Sequence, residues 1–196
     1  MERPNVSKQR FLIVTLLNVL ITVVEIIGGL VSGSLALLSD AFHNLGDSIS
    51  IVLGYFAQVI SGRPENRRRT YGYRRAEILS AMANSIFLIV VSIALIVEAI
   101  KRFSHPEHIN GRIMLIVAII GLIANLVSAQ LLHSGSHDSL NVKATYLHVL
   151  SDALSSIAVI FGGVILMFFN ITWLDPTLTI LVALYIAKEA LPIIKP

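Results

Sequence analysis

Cysteine is absent from the 196 residues, which excludes a disulfide framework and any thiolate metal site. Charge is scarce as well. Asp, Glu, Lys and Arg make up 14% of the chain, against about a quarter in a soluble domain that must cover its surface with them. A net charge of +3 is too small for a nucleic-acid footprint and reads as loop charge facing an anionic membrane. Neither His-Glu-x-x-His nor G-x-S-x-G occurs, so nothing points to hydrolysis, and an enzyme is not expected. The polar "MERPNVSKQR" leads straight into a long apolar run with no small-residue cleavage site, so no cleavable signal peptide is expected.

What is plentiful is hydrophobic residue, 55% of the chain. Apolar stretches recur at approximately 11–31, 35–60, 77–103, 111–133, 142–169 and 175–194, each near the roughly 20 residues that cross a bilayer. In hydrocarbon a segment must satisfy its own backbone, so each is expected to be a helix. The fold class is therefore an all-α membrane protein of six transmembrane helices, with residues 1–196 forming one transmembrane domain. An even number of spans puts both termini on one side. Twelve of the fifteen Lys and Arg residues fall on that side, six of them in the loop "SGRPENRRRTYGYRR". The positive-inside rule then makes both termini cytoplasmic.

Against that apolar background, "LLSDAFHNLGDSIS" carries Asp40, His43 and Asp47, and "ATYLHVLSDALSS" carries His148 and Asp152. An ionisable side chain at the bilayer centre costs about 2.5–3.5 kcal/mol by insertion scales, so these groups need a compensating partner. In both segments His and the following Asp are four residues apart and share one helical face. Two such helices, packed face to face, would offer two imidazole nitrogens and two carboxylate oxygens at one point. A four-coordinate N/O set suits Zn²⁺, and two carboxylates balance its charge. Iron and manganese prefer more oxygen ligands and Cu(I) prefers sulfur, while Cd²⁺ and Co²⁺ stay open. Interhelical hydrogen bonding or a His–Asp proton relay without metal is the alternative use of the same residues. A four-ligand site leaves no open position for an activated water, so carrying the ion across the membrane is its simplest purpose. The repeated His-x-x-x-Asp, on spans of opposite direction, is a faint internal repeat of the kind that marks transporter sites.

"SGSLALLSDAFHNLGDSIS", "YGYRRAEILSAMAN", "LNVKATYLHVLSDALSS" and "WLDPTLTILVAL" together resemble the cation diffusion facilitator family, in the branch of bacterial zinc–cobalt–cadmium exporters related to eukaryotic zinc transporters. The resemblance runs through nearly the whole chain. It implies a homodimer in the cell (plasma or inner) membrane that exports Zn²⁺ in exchange for protons, with His43, Asp47, His148 and Asp152 as the metal ligands. Zn²⁺ would be cargo, and no resident cofactor is expected. Family chains continue past span six into a soluble cytoplasmic domain. This sequence ends at "KEALPIIKP", so that domain is expected to be absent from this chain. The loop "RRRTYGYRRAE" has no histidine, so the loop metal site of some relatives is not carried over. A non-transporting metal sensor or assembly subunit, or a proton-coupled carrier of another solute, would use the same residues.

Several further residues are accessory or pathway candidates. Asp40 precedes His43 by three residues and either supports that imidazole, lines the exit path, or faces water. Asn18 and Glu25, seven apart, share a face of span one with a pathway or structural role. His133 and His137 stand four apart in "HSGSHDS" and either collect zinc or are solvated. Asp175, just before Pro176, is read as an N-cap of its own helix.

Overall fold

The computed structural model describes residues 8–61, 74–136, 140–169 and 171–194. They form six helices: α1 (Lys8–Ser32), α2 (Leu35–Ser61), α3 (Arg74–Ser104), α4 (Gly111–Ser136), α5 (Leu140–Phe168) and α6 (Leu174–Ile194). Each expected span lies within three residues of a helix at both ends. At 25 residues, α1 is about 37 Å long, enough to cross a hydrocarbon core of about 30 Å. Four helices, α1, α3, α4 and α5, are by length and composition apolar enough to span a membrane. Of the other two, α2 carries Asp40, His43 and Asp47.

The distribution of side chains is inverted relative to a water-soluble protein. Leu12, Leu16, Leu20, Val23, Ile27 and Leu30 form an exposed apolar stripe on α1, while Glu25, Asp40, His43, Asn44, Asp152 and Asp175 are buried. Lipid solvates the first set; the second set must be satisfied by neighbouring helices.

α4 packs on α5 and α1, α1 on α2, and α3 on α6, with α2 touching both groups. Two apolar layers lie along this bundle. One joins Ala36 and Leu37 of α2, Met114, Val117 and Ala118 of α4, and Val159 of α5. The other joins Val14 of α1, Ala129 and Leu132 of α4, and Val149 of α5. Asn18, Asn125 and Asp152 occupy the stretches of α1, α4 and α5 between these layers.

Close helix approach needs small residues where backbones meet. Gly163 of α5 lies against the backbone of Leu115 on α4, where an added Cβ would come within 3.2 Å of the Leu115 Cα. Gly33 joins α1 to α2 with φ of 74°, a left-handed conformation that only glycine adopts at little cost. That turn is tied down from three sides. Asn110 N–H donates to the Ser32 carbonyl at 2.8 Å, the Arg102 guanidinium donates to the Gly33 carbonyl, and Asp175 holds the start of α2.

The reading of Asp175 as its own helix's N-cap is corrected here. α6 begins one residue earlier, at Leu174. The Asp175 carboxylate instead accepts from Ser34 Oγ at 2.5 Å, Leu35 N at 2.9 Å and Ala36 N at 3.3 Å. It caps α2 across the bundle, meeting the unsatisfied N–H groups of that helix's first turn.

Candidate metal site

α2 and α5 are placed so that their two His-x-x-x-Asp faces meet. One ligand atom from each of His43, Asp47, His148 and Asp152 can be chosen so that all four lie within 4.8 Å of one another. His43 Nε2 is 3.8 Å from Asp47 Oδ2 and 3.6 Å from Asp152 Oδ1. His148 Nε2 is 2.9 Å from Asp47 Oδ2 and 3.9 Å from Asp152 Oδ2. A tetrahedral ion with bonds of about 2.0–2.1 Å has donor–donor edges of about 3.3–3.4 Å. Three of the four measured separations exceed that edge by a few tenths of an ångström, and the His148–Asp47 contact is shorter. A cation entering the set would open that one contact and draw the other donors in slightly.

The site is graded in exposure. The side chains of His43 and Asp152 are 6% and 5% exposed, those of Asp47 and His148 19% and 34%. His43 and Asp152 form the floor, and Asp47 and His148 face the open side. His43 Nε2 and Asp152 Oδ1, 3.6 Å apart, are both buried with no hydrogen-bond partner among the described residues. Buried polar atoms are nearly always paired.

The accessory candidates brace this arrangement. Asp40 accepts hydrogen bonds from Ser155 Oγ at 2.7 Å and Ser156 Oγ at 3.3 Å, a second tie between α2 and α5 beside the quartet. It is buried, so the water-facing alternative does not hold. Glu25 accepts from Asn44 Nδ2 at 2.8 Å, and Asn18 Nδ2 donates to Ser48 Oγ at 3.2 Å. The shared face of Asn18 and Glu25 is therefore turned toward α2, which holds His43 and Asp47. The His133 ring packs on Tyr146 of α5 at 5.6 Å between centroids, away from the four donors. His137 lies outside the described residues. His105 and His108 are exposed.

Two residues beside the quartet escape the sequence reading. Glu189 Oε2 of α6 is 3.8 Å from His43 Nε2, and Tyr185 of the same helix sets its ring edge-on to His43 at 6.2 Å. The available signal was an acid and a phenol four residues apart at the end of span six.

The pattern of a cation efflux transmembrane domain matches residues 11–196. The chain belongs to the cation efflux, or cation diffusion facilitator, family. Among cation efflux relatives, it is 41% identical over 175 residues to the cadmium, cobalt and zinc/H(+)-K(+) antiporter of Bacillus subtilis, covering 88% of this chain and 56% of that one. It is 42% identical over 173 residues to the zinc transporter ZitB of Escherichia coli, covering 88% and 55%. It is 37% identical over 194 residues to the metal cation efflux system protein CzcD of Cupriavidus metallidurans, covering 99% and 61%. The chain thus spans somewhat over half the length of these relatives, which are named as transporters and not as enzymes. With this family membership and its apolar helices, the chain is a multi-pass membrane protein.

Proposed function

We propose that this chain is the membrane-spanning, ion-carrying part of a divalent-cation exporter that moves Zn²⁺, and also Cd²⁺ or Co²⁺, out of the cytosol by alternating access in exchange for protons. His43, Asp47, His148 and Asp152 hold the ion as transported substrate. The observation that carries this reading is the convergence of two imidazoles and two carboxylates from α2 and α5 within 4.8 Å inside an apolar bundle. The name of the Bacillus subtilis relative, an antiporter of cadmium, cobalt and zinc, supports both the cargo and the exchange. The basic loop supports cytoplasmic termini in a cell (plasma or inner) membrane, and the family resemblance supports a homodimer.

Proton exchange follows from the ligands. Zinc needs a neutral imidazole and an ionised carboxylate, so binding expels protons, and protons arriving from the other side expel the metal. Moving Zn²⁺ out against an inside-negative potential opposes two charges, about 4.6 kcal/mol per 100 mV. Each proton returned removes about half of that electrical load. The test is zinc flux in proteoliposomes holding a zinc-sensitive dye. Flux is expected in the wild type, stimulated by an opposing pH gradient and lost in His43→Ala. Flux that ignores the gradient would defeat proton coupling, and zinc binding without flux would make the protein a sensor.

A further inference from the structure

From the contacts of α6 we infer that Glu189 is a fifth ligating group of the metal site, standing on its open side and oriented by Tyr185. This rests on the reading of the quartet as a divalent-cation site and adds to it a residue from a third helix.

The geometry is specific. Glu189 Oε2 is as far from His43 Nε2, 3.8 Å, as Asp47 Oδ2 is. Its other oxygen, Oε1, accepts the Tyr185 hydroxyl at 2.6 Å. Residues four apart on a helix are neighbours, so the phenol holds one carboxylate oxygen and leaves the other turned to the imidazole. The Tyr185 ring meets His43 edge-on, which fixes where that phenol stands. His43 Nε2, the atom that Glu189 faces, is buried and unpartnered among the described residues.

Position and charge assign the role. The Glu189 side chain is 40% exposed, against 6% for His43, so it lies where an ion would first meet the donors. Asp47 and Asp152 already neutralise a divalent cation. A third carboxylate makes the loaded site net negative, which attracts the ion on approach and favours a coordination number above four. A larger coordination sphere with more oxygen suits Co²⁺ and Cd²⁺ better than a closed tetrahedron does.

The experiment uses the full chain in nanodiscs, with Zn²⁺ and Co²⁺ as probes and Asp152→Asn as the reference for the quartet. Glu189→Gln keeps the shape and removes the charge. It is expected to weaken Zn²⁺ binding by about tenfold, the scale seen when a supporting group of a metal site is lost, and to leave the melting temperature of the metal-free protein unchanged. In the Co²⁺-loaded protein the visible absorption is expected to intensify in Glu189→Gln as five-coordinate Co²⁺ becomes tetrahedral. Glu189→Asp retains the charge with a shorter reach, and its affinity is expected between the two. If Asp152→Asn loses Zn²⁺ while Glu189→Gln binds it as the wild type does with an unchanged Co²⁺ spectrum, Glu189 is no ligand and this inference falls alone. If the wild type binds no Zn²⁺, or Asp152→Asn binds it unimpaired, the reading of the quartet falls as well.

Discussion

The carboxylate of Asp175 and the backbone N–H of Leu35 are joined by a 2.9 Å hydrogen bond across 140 positions of sequence. The same carboxylate takes the Ser34 hydroxyl and the Ala36 N–H, and lies 3.8 Å from the Arg102 guanidinium. One side chain of α6 thus anchors the start of α2, while Arg102 of α3 holds the preceding turn at Gly33. Arg102 also pairs with Glu107 at 2.7 Å. The α3–α6 pair is clamped to α1 and α2 at this end, so the bundle is closed here and open on the Glu189 side of the quartet.

Removing that clamp has a predictable cost. Asp175→Ala deletes the acceptor for three donors, whereas Asp175→Asn retains one oxygen acceptor. Losing a helix cap costs about 1–2 kcal/mol, while Arg102 keeps its pairing with Glu107. The apparent melting temperature in detergent is expected to fall most for Asp175→Ala and less for Asp175→Asn. Equal melting of all three proteins would show that the cap contributes nothing.

How much of this was open to a reader of the sequence depends on the range of the interaction. The six helices were legible because each apolar run is a local signal, and Gly33 and Pro106 sit at breaks between them. The quartet was legible because His43 with Asp47, and His148 with Asp152, each declare a shared face by spacing alone. Asp175 was misread because its partners lie at the far end of another helix, and a lone Asp before Pro looks like a cap for its own. Nothing in the local sequence links Glu189 to His43. Only the packing of α6 against α2 brings it to His43. Asp40 was noticed, but its partners Ser155 and Ser156 are set by the register between α2 and α5, which periodicity does not encode.

The four donors act as a unit, so their losses do not add. Removing one leaves three donors and an ion whose charge or coordination is no longer met. His43→Ala and Asp152→Ala are each expected to abolish high-affinity Zn²⁺ binding, and the double variant to be no worse than either single one. Isothermal titration calorimetry on the purified proteins checks this. Additive, independent losses would mean that the two residues do not share an ion.

Asp40 is expected to behave differently. It ties α2 to α5 through Ser155 and Ser156 without belonging to the quartet. Asp40→Ala frees the relative position of the two helices, and Zn²⁺ affinity is expected to drop by about ten- to a hundredfold while binding persists. Ser155→Ala, which removes the 2.7 Å bond alone, is expected to reproduce part of that loss. If Asp40→Ala abolished binding outright while Ser155→Ala did nothing, Asp40 would be a ligand and not a brace.

Packing between α4 and α5 sets the same register from the other side. A side chain at Gly163 would meet the Leu115 backbone, which cannot rotate away. Gly163→Val must part the two helices, an overpacking cost of about 1–3 kcal/mol, and α5 carries His148 and Asp152 with it. Reduced zinc affinity is expected together with reduced thermal stability. A variant that lost stability but bound zinc normally would show that the donors tolerate displacement of α5.

The dependence of binding on pH has a definite sign. The metal-bound form needs both imidazoles neutral and both carboxylates ionised, so protons compete with zinc at every ligand. As pH falls, affinity is expected to fall by about one decade per pH unit for each proton that zinc must displace from a ligand. Calorimetry at a series of pH values measures the slope. Repeating one titration in buffers of different ionisation enthalpy counts the protons released. A proton count of zero at neutral pH would disconnect metal binding from proton exchange in this bundle.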